Sequence, residues 1–343
     1  MINLHYNFKL KEKLEYEDAI KLAETFLDEI LNKVSNEMRE ITSYISMAKG
    51  KGIRSKLLLL SSLGDDGLVS LDAVKAASSV EILHLATLVH DDIIDDADKR
   101  RGLESVQRRF GKKEAVIAGD YLFCLSFSLI SDLDTKYADE KNIKFVSEFA
   151  GLVSNICMGE LSQFRNNKNI DLTITQYLRI ISGKTASLFS ISSYAGAILG
   201  QCDEPEIKLL SRFGRYFGMI FQIIDDCKDY ESSEEKTLKP VKKDIEQGVV
   251  TLPLILSMTK YNELKTLAKD VFLSHKKYET LFNEVYESGG ITDAIIIASK
   301  YYEKSKALLL KLDNEIKSKM LLEVLNDIGG AYFSSLKNRQ FSI

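Results

Sequence analysis

Residues that interrupt helices are scarce in this chain, with 3 prolines and 19 glycines among 343 residues. Long stretches therefore run without a breaker, which favours helix over many short strands. Cysteine is scarce as well. Cys124, Cys157, Cys202 and Cys227 stand far apart and form no CxxC or Cys/His ligand spacing, so buried thiols in a reducing cytoplasm are expected. Neither sign of charge dominates: the formal net charge is −4, with Lys and Arg spread among acidic residues. That balance gives no reason to expect nucleic acid as a partner. The opening MINLHYNFKLKEKLEYEDAI lacks the apolar centre of a signal peptide. No apolar run reaches the ~18 residues that a spanning helix needs, so no transmembrane segment is expected.

What the chain does have is helical periodicity. At 45% hydrophobic, it can bury a large core without disulfides or metal. From about Tyr16 onward apolar residues recur at helical spacing, as in AIKLAETFLDEILNKV and ASLFSISSYAGAILG, and period-two alternation is absent over any useful length. Helix starts are marked by Ser70 before Leu71, by Pro205 after Asp203 and Glu204, and by Thr292 and Asp293 after a Gly-Gly pair. The stretch from Tyr230 to Gly248 is charged, poor in apolar residues and carries Pro240, which reads as a mobile loop. No linker or repeat divides the chain. The expected fold is all-α, one large helical domain over residues 1–343, with residues 1–15 as an N-terminal arm.

Two acidic clusters carry the chemistry. In LHLATLVHDDIIDDADKRRG, Asp91, Asp92, Asp95 and Asp96 close an apolar helix, with Asp91 and Asp95 on one face and Asp92 and Asp96 on another. Each like-charge pair costs roughly 0.2–0.5 kcal/mol, and the negative end of the helix dipole adds to the repulsion. A cation is needed to offset it. The pattern recurs in FGMIFQIIDDCKDY, where Asp225, Asp226 and Asp229 close another apolar helix. All-oxygen ligands of this kind suit Mg²⁺, which bridges one or two carboxylates to substrate phosphates. Lys51, Arg54, Arg100, Arg101, Lys184 and Lys239 complete a cavity suited to two polyanions. Competing readings fail on spacing. SGKT would be a P-loop only with glycine five positions before Gly183, where Leu178 stands. A di-iron bundle needs two ExxH pairs, and Glu81/His84 is the only one. Read alone, His84 on its apolar helix is a core histidine.

These residues, in this order, resemble the trans-isoprenyl (polyprenyl) diphosphate synthase family, especially its long-chain bacterial members such as the catalytic components of heptaprenyl and octaprenyl diphosphate synthases. The similarity runs from about Lys49 to Ile255, with DDIIDDADKRRG and FQIIDDCKD as the two aspartate-rich motifs. The resemblance implies an isoprenoid-synthase bundle around a central cavity, and a Mg²⁺-dependent transfer of an allylic group to isopentenyl diphosphate. It implies that Asp91, Asp95, Asp225 and Asp229 hold the metal, with Asp92 and Asp226 completing the shell. It implies that Arg100, Lys184, Thr185, Gln222 and Lys239 contact the allylic diphosphate, and that Lys51, Arg54, His84 and Arg101 bind isopentenyl diphosphate. Small residues at Ala86 and Thr87, with Leu83, Ile82 and Ser79 deeper on roughly the same face, imply a long product of about C30 to C40, each helical turn adding ~5.4 Å of tunnel. A short-chain farnesyl or geranylgeranyl synthase is the alternative. The resemblance also implies a homodimer and leaves room for a small regulatory subunit.

Two departures from the family pattern reduce the positive charge. Gly52 stands where an arginine is usual and Val249 where a lysine is usual. A terpene cyclase would carry a second motif like Asn-Asp-x-x-Ser-x-x-x-Glu, and DDCKD does not match it. A non-catalytic subunit would have lost the aspartates, which are all present.

Overall fold

The helical periodicity becomes a succession of helices in the computed structural model, which describes residues 12–48, 50–141, 145–231, 245, 247–274 and 278–340. Helices α1 (Tyr16–Asn32), α2 (Asn36–Met47) and α3 (Ile53–Ser61) lead into α4 (Leu71–Ile94), whose end carries the first acidic motif. Next come α5 (Val106–Phe110), α6 (Lys112–Lys141), α7 (Phe145–Arg165), α8 (Ile174–Ile181), a π turn (Ser182–Ala186) and α9 (Ser187–Leu199). The second motif closes α10 (Glu204–Glu231). Helices α11 (Leu252–Lys260), α12 (Asn262–Ser274), α13 (Tyr278–Glu287), α14 (Gly290–Leu309) and α15 (Glu315–Gln340) complete the described chain.

Strand is confined to two short ladders. Lys13–Leu14 pairs antiparallel with Val69–Ser70, tying the start of the described chain to the start of α4, and Lys99–Arg100 pairs with Leu103–Glu104. Ser70 caps α4 by accepting a hydrogen bond from the Ala73 amide, as its side chain predicts. α14 begins earlier than expected, at Gly290. Gly289, at φ 81°, makes the left-handed entry that favours glycine, and Thr292 falls in the first turn.

α4 packs along α6, and α10 along α9 and α14. Phe189, Phe213, Phe217 and Phe221 interlock between α9 and α10, with ring centroids 5.3–6.1 Å apart. Each such pair adds about 0.5–1.5 kcal/mol beyond the area it buries. This packing holds the ends of α4 and α10 in place.

Three expectations need correction or fall outside the described residues. Cys202 and Cys227 are buried, but Cys124 and Cys157 are exposed, because they fall on the outer faces of α6 and α7. The span Lys112–Leu133 is long and apolar enough to cross a membrane by length and composition. Leu, Ile, Val and Phe raise its average while Asp and Ser interrupt the run, and Ala115, Ala118, Leu122, Leu125 and Leu129 pack into the core. The expected loop lies outside the described residues over 232–244 and at 246, and Lys239 with it.

Candidate active site

α4 turns a half-buried stripe away from its two packed faces: Glu81, His84, Thr87, Leu88 and Asp91, with Asp95 at its C-cap. The helix ends there. The Asp95 amide still donates to the Asp91 carbonyl at 2.8 Å, so the expected Asp91/Asp95 face holds. Asp96 does not share a face with Asp92. It has left the helix at φ 46°, and its exposed carboxylate pairs with Lys112 at 2.8 Å. Asp92 is 3% exposed; its Oδ1 accepts from Arg100 Nε at 2.9 Å and from Nη2 at 2.5 Å. Burial pushes the Asp91 carboxyl up to about 7. Lys184 opposes this, the like charges of Glu160 and Asp95 reinforce it, and Arg100 opposes it.

Lys184 reaches this neighbourhood from the π turn, a distortion frequent at functional sites. Its Nζ lies 2.7 Å from Glu160 Oε2 on α7. Gly159 makes that approach possible: a Cβ there would stand 2.4 Å from the Lys184 amide nitrogen. Burial opposes the Lys184 charge, yet Glu160, Asp91 and Asp95 together hold its ammonium above the usual lysine range. Thr185, next in the turn, donates to Gln222 Oε1 at 2.7 Å, and Gln222 Nε2 donates to Asp226 Oδ1 at 2.7 Å. The Tyr177 hydroxyl donates to Asp226 Oδ2 at 2.6 Å. Asp225 and Asp229 are half-buried beside it.

A basic group adjoins this acidic one. Arg54 Nη1 donates to His84 Nε2 at 3.1 Å, and the guanidinium lies 4.5 Å from the Phe189 ring centroid. Arg54 Nε is buried with no hydrogen-bond partner among the described residues, and burial lowers this guanidinium to about 10, with Arg101 adding and Glu81 opposing. Burial, then Arg54, Arg101 and Arg100, hold His84 well below the usual imidazole range. Arg101, at φ 51°, donates from Nη1 to the Ala48 carbonyl at 2.6 Å and lies over Gly50. Lys51 is exposed in the same segment. Gly52 caps α3 in the left-handed region at φ 59°, a conformation an arginine would adopt only under strain.

Arg100 borders both groups, so Asp91, Asp95, Lys184, Arg54, His84 and Arg101 share one electrostatic neighbourhood, and Thr185 and Gln222 link it to the second motif. Lys239 lies outside the described residues. Sequence reasoning missed Glu160, Tyr177, Phe189 and Gln247, whose Nε2 donates to the Asp95 carbonyl at 3.1 Å. A glycine inside an apolar helix marks close approach, and Gly159 in CMGEL was a usable signal for Glu160. The others join only in space.

The donor set fits a hard dication. No three His, Cys, Asp or Glu side chains among the described residues form a closed cage, but Mg²⁺ needs only one or two carboxylates, taking its other oxygens from water and phosphate. The buried Asp91 carboxyl between Glu160 and Asp95 is a negative site that such a cation offsets.

A family model described as polyprenyl synthetase matches residues 35–288. The heptaprenyl diphosphate synthase component 2 of Bacillus subtilis is 31% identical over 303 residues, 86% of this chain and 84% of that protein. The geranylgeranyl diphosphate synthase of Sulfolobus acidocaldarius is 31% identical over 314 residues, 86% of this chain and 94% of that one. The crystal structure of a heptaprenyl diphosphate synthase from Staphylococcus aureus superposes with a TM-score of 0.84 at 31% identity, covering 93% of this chain and 99% of that one. The chain belongs to the polyprenyl synthetase family. It is a trans-prenyl diphosphate synthase, and so a prenyltransferase.

Proposed function

We propose that this prenyltransferase works with Mg²⁺ as a single domain, adding isopentenyl units to an allylic diphosphate until the chain reaches about C30 to C40, the tunnel gaining ~5.4 Å per helical turn. The observation that carries this reading is the joining of Asp91 and Asp95 to Lys184 on one side and to the Arg54–His84–Arg101 group on the other. Asp91, Asp95, Asp225 and Asp229 would hold Mg²⁺, with Asp92 and Asp226 supporting them. The metal would supply Lewis acidity to the departing diphosphate. Lys184, Arg100 and Lys239, with Thr185 and Gln222 alongside, stabilise the charge that develops there. Lys51, Arg54, His84 and Arg101 hold isopentenyl diphosphate; Arg54 Nε, buried and without a hydrogen-bond partner among the described residues, is a donor for a phosphate oxygen. The released diphosphate takes the proton.

Long product is supported by the small side chain of Thr87 on the half-buried stripe that runs from Asp91 back along α4, while Ala86, the other small residue of the pair, is packed in the core beside it. A second copy is the proposed partner. α6 and α7 pack on each other and leave Ile117 59%, Met158 62% and Phe164 62% exposed, and these are the apolar side chains that the proposed dimer would cover. A small regulatory subunit is the second reading, favoured by the name of the Bacillus relative as a component. A cytoplasmic location is part of the same proposal.

The test is incubation of the purified chain alone with farnesyl and isopentenyl diphosphates, with and without Mg²⁺, and product sizing by mass spectrometry. Asp91→Ala should cut turnover by several orders of magnitude with the fold intact, since its role is in the transition state rather than in packing. Near-normal turnover of that variant would refute the metal assignment, and a product no longer than C20 would refute the long chain.

A further inference from the structure

Both oxygens of Asp226 are taken, by Gln222 from the same helix and by Tyr177 from α8, 49 residues earlier. Asp226 is 4% exposed and Tyr177 3%, so turning the carboxylate toward any other ligand would strand two donors where water cannot replace it. The phenol is itself well anchored. α8 opens with a capping box in which the Thr173 side chain accepts from the Gln176 amide and the Gln176 side chain accepts from the Thr173 amide. The same helix runs straight into the π turn that carries Lys184 and Thr185. Thr185 then reaches Gln222, which closes a ring of contacts from the lysine turn to the second motif and back through Tyr177.

We propose that Tyr177 is a positioning residue: by clamping Asp226 it sets the second aspartate motif in register with the lysine turn, so that Asp225 and Asp229 present their carboxylates where Lys184 meets the diphosphate. It touches neither substrate nor metal. The proposal rests on the reading of Asp225 and Asp229 as metal ligands and names the group that orders them.

Tyr177→Phe removes one oxygen and keeps the ring in its place. Mn²⁺ binding to the full chain, followed by electron paramagnetic resonance with an unreactive allylic thiolodiphosphate, should weaken about tenfold, the scale of one lost hydrogen bond to a charged group. The allylic KM should rise by a similar factor, while the isopentenyl KM changes less than about twofold. In an Asp226→Ala background the same substitution should alter Mn²⁺ binding by less than about twofold, because its partner is already gone. A purely structural tyrosine would lower the melting temperature and leave both KM values unchanged, and an equal loss of Mn²⁺ binding in the two backgrounds would mean that the hydroxyl does not act through Asp226; either result would overturn the proposal. Unchanged Mn²⁺ affinity in Tyr177→Phe would overturn it too. If the unmutated chain binds no Mn²⁺ with the analogue, the metal reading fails instead.

Discussion

His84 is an imidazole held neutral among three guanidinium groups. Arg54 donates to its Nε2, and burial together with Arg54, Arg101 and Arg100 keeps it well below its usual range. The unfolded chain has no such restraint and takes up this proton near pH 6.5. Below that value the unfolded state binds more protons than the folded one, so stability is lost as the pH falls, by up to ~1.4 kcal/mol per pH unit from this group. His84→Gln should therefore flatten the fall in stability between about pH 6.5 and 5, measured by urea denaturation at a series of pH values. Equal slopes in the two proteins would show that His84 is protonated in the fold. The same neutrality suits its proposed task, since a neutral imidazole beside Arg54 adds a donor to the isopentenyl site without adding repulsion.

At the scale of elements, the π turn and α4 make different demands on their neighbours. α7 passes so close to the π turn that Gly159 has backbone, not a flexible side chain, in the space of a Cβ. Gly159→Ala should cost about 1–3 kcal/mol and should raise the allylic KM as Lys184 moves; thermal melts and steady-state kinetics read the two effects. A variant as stable and active as the parent would mean that α7 can shift freely. α4 has two packed sides. Ala86 is 0% exposed and packs with Ile82, Leu122 and Leu125, whereas Leu83 joins the larger cluster and Ser79 exchanges hydrogen bonds with Ser126 on α6. Of the five residues expected on roughly one tunnel face, Ala86 and Ile82 thus lie in one core and Leu83 in another, and Thr87 is the one of the chain-length pair on the half-buried stripe. Thr87→Tyr should shorten the product to about C15 to C20 with little loss of stability, while Ala86→Tyr should also lose about 1–3 kcal/mol through overpacking. Mass spectrometry of products and melting temperatures separate these outcomes. Full-length product from Thr87→Tyr would remove the stripe from the tunnel wall.

For the whole molecule, the outward apolar residues of α6 and α7 set the expected assembly. Met158→Glu with Phe164→Glu should convert a dimer to a monomer in size-exclusion chromatography with light scattering, because charges in the centre of an apolar interface are left unpaired. A dimer that survives both changes would place the interface elsewhere. Activity of the unmutated chain alone, measured on the same sample, decides whether a further subunit is required.

The helical class, the ends of α4 and α10 and their aspartates were legible in the sequence because each is a local matter. Apolar spacing dictates helix, and two acidic clusters closing apolar helices repel unless a cation lies near. Spacing on a helix also placed Asp91 with Asp95. It could not show that Asp96 turns out to Lys112, since that depends on where α4 stops and Arg100 begins to cover Asp92. Glu160 against Lys184, Tyr177 against Asp226 and Arg54 between His84 and Phe189 join residues 24, 49, 30 and 135 positions apart. No periodicity spans such separations. They exist because Gly159 lets α7 close on the π turn and because the phenylalanines between α9 and α10 fix where the second motif ends, and those are consequences of packing in three dimensions.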